Sequence, residues 1–157
     1  MTDAPKDLAS LFSGGDTVMV ATRQGTFVDA RPLTVAGVRA PTIEMLVDAA
    51  TEWAAAVADG DQVLLSKSDN RSNTWVTVTG TLAISSEPAE IDRLWSPPAE
   101  AFFDEGRATP GIAVLAVEVV EGSYWTSPSG RLGSLISMVR AAVGDSDDSG
   151  EHGTVRA

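Results

Sequence analysis

Two side chains suited to holding an anion stand out in a chain with few positive charges. Arg31 lies in a β-rich stretch, and its guanidinium could bind a phosphate through two parallel hydrogen bonds. The ordinary alternative for Arg31 is a salt bridge to one of the 22 acidic residues. Thr51 precedes a short helical stretch, where its hydroxyl and the free N–H groups of the first turn form an anion site, a plain helix cap, or both. Each residue therefore allows a phosphate-bearing ligand and a purely structural role.

The stretch Tyr-Trp-Thr-Ser-Pro-Ser-Gly at 124–130 combines an indole with hydroxyls on a constrained loop. Trp125 could stack on a flat ring, because aromatic side chains favour offset contact with other π-systems, and its alternative is the core of an interface. Ser127 could hydrogen-bond a ligand or only turn the chain. Trp75 and Trp95 are predicted to pack against neighbouring side chains.

Most catalytic chemistry based on side chains is excluded by the composition. The sequence has no cysteine, so thiolate nucleophiles and cysteine-bound metals are not available. Its single histidine, His152, cannot build a triad or a multi-histidine metal site within one chain. No phosphate loop, dinucleotide fingerprint or nucleophile elbow occurs. We therefore expect a cofactor to carry any chemistry, and no side chain is predicted to be catalytic.

The charge of the chain limits its partners. Eleven basic and 22 acidic residues give a net charge of −11, so a basic face for nucleic acid is not expected. No apolar run is long enough to span a bilayer, and the first residues lack the pattern of a secretory signal. The sequence therefore predicts a cytoplasmic protein without a membrane or nucleic-acid partner.

The elements that would position these residues begin with a hairpin. Two β-rich stretches, Thr17–Thr22 and Thr26–Val35, flank a Gln-Gly turn signal, and the second of them carries Arg31. A third strand is predicted at Thr42–Asp48. It leads into a short helix that Thr51 can cap.

The second half of the chain continues the β pattern. Thr74–Ile84 alternates apolar and polar residues, and Gly80 in its middle predicts a bulge or a sharp bend. Ile112–Val120 is almost continuously apolar, which predicts a strand buried on both faces. The remaining predicted elements are a helix at Asp3–Phe12, a strand at Gln62–Ser66, and helices at Glu87–Trp95, Ala99–Phe103 and Leu132–Val139.

Six strands with short helices and no βαβ rhythm predict a mostly-β fold. We expect a six-stranded, mostly antiparallel barrel with flanking helices. The length suits a single domain over residues 1–144. Residues 145–157 are predicted to form an acidic, disordered tail.

Four motifs lie in order along this chain. They are Ala-Arg-Pro-Leu at 30–33, Glu-Met-Leu-Val-Asp-Ala-Ala-Thr at 44–51, Asn-Thr-Trp-Val-Thr-Val-Thr-Gly at 73–80 with Ile-Asp-Arg-Leu-Trp-Ser-Pro at 91–97, and Tyr-Trp-Thr-Ser-Pro-Ser-Gly-Arg-Leu at 124–132. In sequence and spacing, from about Leu8 to Val143, they resemble the general stress protein branch of the pyridoxamine 5′-phosphate oxidase-like, FMN-binding split-barrel superfamily.

The resemblance implies an antiparallel split β-barrel that forms a homodimer, with two flavin sites lying in the subunit interface. It further implies an FMN-binding protein that acts as a flavin-dependent oxidoreductase. By this resemblance the cofactor-binding residues are expected to be Arg31, Pro32, Leu33, Val47, Asp48, Thr51, Trp53, Trp125, Ser127 and Arg131.

One position departs from the family pattern. The resemblance implies a lysine on the cofactor phosphate where this chain has Trp53, and Glu52 adds a negative charge beside it. Losing a charged hydrogen bond costs about 1.5–3 kcal/mol, or roughly 10- to 150-fold in affinity. Three alternatives follow: FMN held more weakly, a deazaflavin cofactor, or a cofactor-free dimeric stress protein whose cleft is filled by Trp53. Restoring the lysine is expected to strengthen FMN binding if the cleft is otherwise intact.

Overall fold

The computed structural model describes residues 3–127 and 151–156, with side chains over 6–127 and 152–156. Eight strands are present in this part of the chain: β1 Asp3–Asp7, β2 Thr17–Gln24, β3 Phe27–Arg39, β4 Thr42–Asp48, β5 Gln62–Asp69, β6 Thr74–Ser85, β7 Ile112–Thr126 and β8 Glu151–Arg156. The helices are short: α1 Leu8–Leu11, α2 Glu52–Ala55, α3 Pro88–Leu94 and α4 Pro97–Phe102, followed by a 3₁₀ turn at Gly106–Ala108. None of these described helices is long and apolar enough to cross a bilayer.

Strands β2 to β7 form a closed ring. Their order is β7-β4-β3-β2-β5-β6, and β6 closes the ring by pairing with β7. Every neighbouring pair in the ring is antiparallel. The predicted six-stranded antiparallel barrel is therefore confirmed.

The predicted irregularity at Gly80 is also confirmed. The register between β6 and β7 shifts between Thr79 and Gly80. A Cβ atom at position 80 would overlap the carbonyl oxygen of Glu118 and the side chain of Val117. Glycine at position 80 thus lets β6 and β7, the two strands that close the ring, approach each other while β6 bends around the barrel.

Two apolar layers hold the fold together. Alternate residues of the ring strands, among them Met45, Leu65 and Tyr124, point inward and form the main core together with Phe12, which follows α1. A smaller cluster lies outside the barrel, where α3 and α4 cover the outer face of β4 and β7. Its members are Leu46, Ile91, Leu94, Phe103, Ile112 and Val114. The first half of β7 is buried on both faces, as its apolar sequence predicts.

The two ends of the described chain depart from the predictions. A strand, β1, replaces the first part of the predicted N-terminal helix and pairs in parallel with β8. The chain at 151–156, predicted as part of a disordered tail, is the strand β8. It pairs with β7 at Ser123–Thr126, beyond Glu118, where β4 ends its own pairing with β7. The predicted helix at Leu132–Val139 lies outside the described residues.

A free strand edge and one close contact explain why β8 forms despite its polar sequence. The edge of β7 beyond β4 offers unpaired backbone groups, which β8 satisfies. Gly153 lies against the ring of the fully buried Tyr124, where no Cβ atom would fit. Because backbone pairing rather than an alternating apolar pattern defines β8, hydrophobic periodicity could not reveal it.

Candidate functional site

The barrel is split where β3 and β4 part. The two strands pair from Arg39 opposite Thr42 back to Val35 opposite Met45. Beyond Val35, β3 continues with β2 alone, while β4 continues with β7 alone as far as Asp48. A proline is tolerated in a strand where its nitrogen faces no ladder partner, which accounts for Pro32 in this one-sided part of β3. The parting leaves a groove on the outer side of the barrel.

A cavity of about 340 Å³ lies beside this parting, and we call it the α4 cavity. Its volume falls in the range of small-molecule sites. Leu33, Thr34 and Leu46 contribute from β3 and β4, while Phe102 and Phe103 contribute from the α4 side. The other lining residues are Gly14, Gly15, Pro32, Val35, Ala36, Ser96, Pro98 and Ala99. None of these described lining residues carries a charge.

The wall that α4 supplies is fixed by an aromatic cluster. Trp95 stacks on Phe103 at 5.5 Å between ring centroids, and its indole Nε1 donates to Glu100 Oε2 at 2.7 Å. Phe103 is buried, and Phe102 contacts it edge-on at 5.2 Å. Phe102 itself is 71% exposed. The wall therefore has a fixed inner part and one exposed ring at the surface.

A buried carboxylate ties this wall to the barrel. Glu44 on β4 accepts hydrogen bonds from Arg93 of α3 at 2.6 and 3.1 Å and from Arg39 at 3.1 Å. Burial alone would raise the pKa of Glu44, but the hydrogen bonds and charges of Arg93 and Arg39 outweigh it and hold the pKa below its ordinary value. The charged pair pins α3, and α3 leads within two residues into α4. Glu44 thus positions one side of the cavity without lining it.

Three of the predicted cofactor residues lie on the one-sided part of β3. Pro32 and Leu33 line the α4 cavity. Arg31 does not, and its side chain, 56% exposed, pairs with Asp29 at 3.1 Å. The structure therefore includes the salt bridge that the sequence offered as an alternative to a phosphate contact. An ion pair this exposed contributes little to stability, so Arg31 remains available to another anion.

The residues after β4 form a helix cap. Asp48 accepts from the backbone N–H of Ala50 at 2.8 Å, and the Thr51 hydroxyl donates to the Asp48 carbonyl at 2.9 Å. Thr51 Oγ1 also accepts from the N–H of Ala54 at 3.3 Å, as the sequence predicts for a capping threonine. Val47, in contrast, points into the main core. Asp48 and Thr51 are therefore engaged with the backbone, and Val47 is a packing residue.

Trp53 packs inside the barrel. It is buried in the main core and does not line the α4 cavity. Its indole Nε1 is buried with no hydrogen-bond partner among the described residues. The hypothesis that Trp53 fills a former flavin cleft therefore does not apply to this cavity. A lysine at position 53 would place an ammonium in an apolar core, so that substitution cannot test the cleft.

The last group of predicted residues lies on β7 and beyond it. Trp125 belongs to the strand rather than to a loop and is 41% exposed, between Trp75 of β6 and His152 of β8 in register. Ser127 donates its backbone N–H to the Asn73 carbonyl at 3.0 Å. Arg131 lies outside the described residues. These positions do not line the α4 cavity.

A second surface on the barrel lacks charge. On the outer face of β2, β5 and β6, Met19 is in register with Ser66 and Thr77, and Ala21 with Leu64 and Thr79. These six residues alternate with inward-facing valines and leucines, and we call them the uncharged face. Pro32 on β3 is in register with Met19, so this face borders the strand that carries the cavity. The absence of charge among these six residues contrasts with the chain as a whole, in which 21% of the residues are charged.

Sequence reasoning missed the α4 side of the cavity. The sequence predicts only a helical turn at Phe102 and Phe103, with no role in a site, and it does not single out Gly14 and Gly15. An adjacent pair of phenylalanines after a Pro-Pro helix start was the available signal. The described residues contain no cluster of histidine, cysteine, aspartate and glutamate that could hold a metal ion.

Comparison with known proteins places this fold in a family. The family described as Pyridoxamine 5'-phosphate oxidase like matches residues 3–148. The chain belongs to this family. The pyridoxamine 5′-phosphate oxidase-like fold was the one that the four sequence motifs predicted. A search among curated proteins gives no match.

Solved structures of this pyridoxamine 5′-phosphate oxidase-like type share the fold. A proposed general stress protein 26 from Jannaschia sp. has a TM-score of 0.67 at 23% identity, covering 91% of each chain. The general stress FMN/FAD binding protein of Xanthomonas citri has a TM-score of 0.65 at 24% identity, over 74% of this chain and 83% of its own. An FMN-binding, pyridoxamine 5′-phosphate oxidase-related protein from Nostoc punctiforme has a TM-score of 0.53 at 12% identity, over 76% and 83%.

Proposed function

We propose that this protein is a general stress protein-like flavoprotein that binds FMN at a homodimer interface and acts as an oxidoreductase. The observation that carries the proposal is the parting of β3 and β4, which exposes a one-sided strand next to Arg31 and beside the uncharged face. Relatives support the ligand: the Xanthomonas citri protein is described as FMN/FAD binding, and the Nostoc punctiforme protein as FMN binding. The proposal includes a cytoplasmic location, which cell fractionation would test.

The residues present fit FMN in part. The one-sided part of β3 offers backbone groups and apolar side chains for the flavin ring, and the exposed Arg31 guanidinium would hold the phosphate by exchanging Asp29 for it. The Thr51 hydroxyl is committed to its helix cap, and Trp53 is inside the core. Bound FMN would supply hydride transfer at its N5 atom. With one guanidinium and no lysine, FMN is expected to bind more weakly than the family pattern implies.

The uncharged face is the proposed contact surface for the second subunit. Its hydroxyl and apolar side chains need no charged partner, so two copies can pack there without burying unpaired charge. A two-fold dimer uses the same surface on both copies, which suits a patch without charge that can pack against itself. In this proposal Trp125, exposed on β7, stacks on the flavin held by the other subunit.

The flavin part of the proposal is tested by the absorption spectrum of the purified protein, followed by titration with FMN and with a deazaflavin. A flavin band, or saturable FMN binding near one per subunit, would support it and justify a search for reductants. Tighter binding of the deazaflavin than of FMN would support the same binding site but identify a deazaflavin as its cofactor. A colourless protein that binds neither would reject the redox function.

The dimer is tested separately by light scattering. Leu64→Asp places a carboxylate in the uncharged face and is expected to give a monomer at concentrations where the unchanged protein is a dimer. Phe27→Asp is the matched control, since it adds the same charge at an exposed position beside the β2–β3 turn, outside the uncharged face. Equal behaviour of the two variants would contradict an interface at this face.

A cofactor-free dimeric binding protein is the second candidate. The commitment of Thr51 to its cap and the absence of a lysine at position 53 favour it, because both weaken a phosphate site. The same titration separates the candidates: an intact dimer that takes up no flavin leaves the cofactor-free function in place.

A further inference from the structure

We propose that the α4 cavity binds an uncharged, flat and largely apolar small molecule, and that Phe102 determines its specificity. If the protein is the proposed flavoprotein, this molecule is its substrate. Only the identification as a substrate rests on the proposed function. The binding site itself is argued from the cavity.

The cavity selects against charge. All of its lining residues among those described are apolar, glycine or hydroxyl-bearing, whereas one residue in five of the whole chain is charged. The charged residue of α4, Glu100, is turned away to accept from the Trp95 indole. An ionised ligand would therefore lose its hydration without meeting an opposite charge.

Contacts within the protein hold the walls of the cavity in place. Leu46 and Phe103 are buried members of the outer apolar cluster, so its floor and inner wall are fixed. The Glu44–Arg93 pair fixes α3, which precedes the wall. A preformed apolar site spends little free energy on ordering when a rigid, flat molecule enters.

Phe102 is placed to contact such a molecule. It lines the cavity, yet 71% of its surface is exposed, so its ring has not been packed into the protein. Phe103 holds it edge-on at 5.2 Å, which limits its orientation. A flat ligand below it would gain an aromatic contact and cover an exposed apolar ring. The volume of about 340 Å³ suits a ligand of one to three rings and is too small for a helix of a partner protein.

The test uses 2-naphthol and its anionic counterpart 2-naphthoate, which share one ring system and differ in charge. Calorimetry on the unchanged protein is expected to give saturable 2-naphthol binding that is at least 10-fold tighter than 2-naphthoate binding. Phe102→Ala is expected to weaken 2-naphthol binding about 10-fold. Phe27→Ala is the matched control, because Phe27 is similarly exposed, at 78%, but does not line the cavity, and this substitution should leave binding unchanged. Equal binding of both probes, no binding, or equal effects of the two variants would overturn the proposal.

Repeating the titration with bound FMN separates this inference from the flavin proposal. Binding of 2-naphthol to a protein that takes up no FMN would support the cavity while rejecting the redox function. Binding of 2-naphthol alongside FMN would support both. If FMN displaces 2-naphthol, the cavity belongs to the flavin ring, and if 2-naphthol dissociates the dimer, it belongs to a second copy; either result overturns the inference.

Discussion

The guanidinium of Arg31 is exposed over more than half of its surface and held only by an exposed aspartate. If it holds the FMN phosphate, Arg31→Gln removes one charged hydrogen-bonding group and should weaken FMN binding by roughly 10- to 150-fold. Riboflavin has the same ring without the phosphate, so its affinity should not change. Titrations of both ligands, with Arg71→Gln in the β5–β6 turn as control, check this. A larger loss of FMN affinity in the Arg71 variant would contradict this role of Arg31 and would indicate that the phosphate lies near the β5–β6 turn.

Glu44 is the residue whose charge state should control stability. Its pKa in the folded protein is lowered because the hydrogen bonds from Arg93 and Arg39 outweigh the effect of burial, so the unfolded chain binds a proton first as the pH falls. Its contribution is therefore complete above its ordinary pKa and is lost as the pH falls through the lower, folded value. Glu44→Gln should cost about 2 kcal/mol at pH 7, or about 4–8 °C in Tm. Thermal unfolding at pH 7 and pH 3.5 checks this, and a gap of the same size at both pH values would contradict it.

Among the elements, the bend of β6 at Gly80 closes the barrel. Gly80→Ala forces a Cβ atom onto the Glu118 carbonyl and the Val117 side chain, and the backbone of β7 must move. Overpacking of this kind costs about 1–3 kcal/mol. Gly14→Ala is the control, because a Cβ atom there meets its nearest neighbour at an ordinary 3.4 Å. Chemical denaturation should show a loss for the first variant and little change for the second.

The same elements show what the sequence could predict. β6 and the first half of β7 were predictable because one alternates between two environments and the other is buried on both faces. β8 was not, because a free edge of β7 defines it and no local pattern does. At the site, the Ala-Arg-Pro-Leu motif singled out Pro32 and Leu33, which line the cavity, while their contact with a cofactor stays a prediction. No motif singled out Phe102, because its role depends on where α4 packs on the barrel, which local sequence does not determine.

At the scale of the whole molecule, the negative net charge of each subunit opposes the formation of the proposed dimer. Each chain carries −11, so two copies repel, while the uncharged face contributes no ion pairs to offset that repulsion. The proposed dimer should therefore depend on apolar contacts and hydroxyl hydrogen bonds rather than on ion pairs. This separates it from a dimer held by salt bridges, which would use some of the 22 acidic residues of each chain.

The direction in which salt changes the stability of this dimer can therefore be predicted. Raising the ionic strength shortens the screening length from roughly 30 Å at 0.01 M to about 3 Å at 1 M, which weakens the repulsion between two acidic subunits and leaves apolar contact intact. The dissociation constant of the dimer should fall as NaCl rises from about 20 to 500 mM. Sedimentation over a dilution series measures it, and KCl should act like NaCl because screening depends on ionic strength. A dimer that weakens with salt would require ion pairs across the interface, which the uncharged face does not supply.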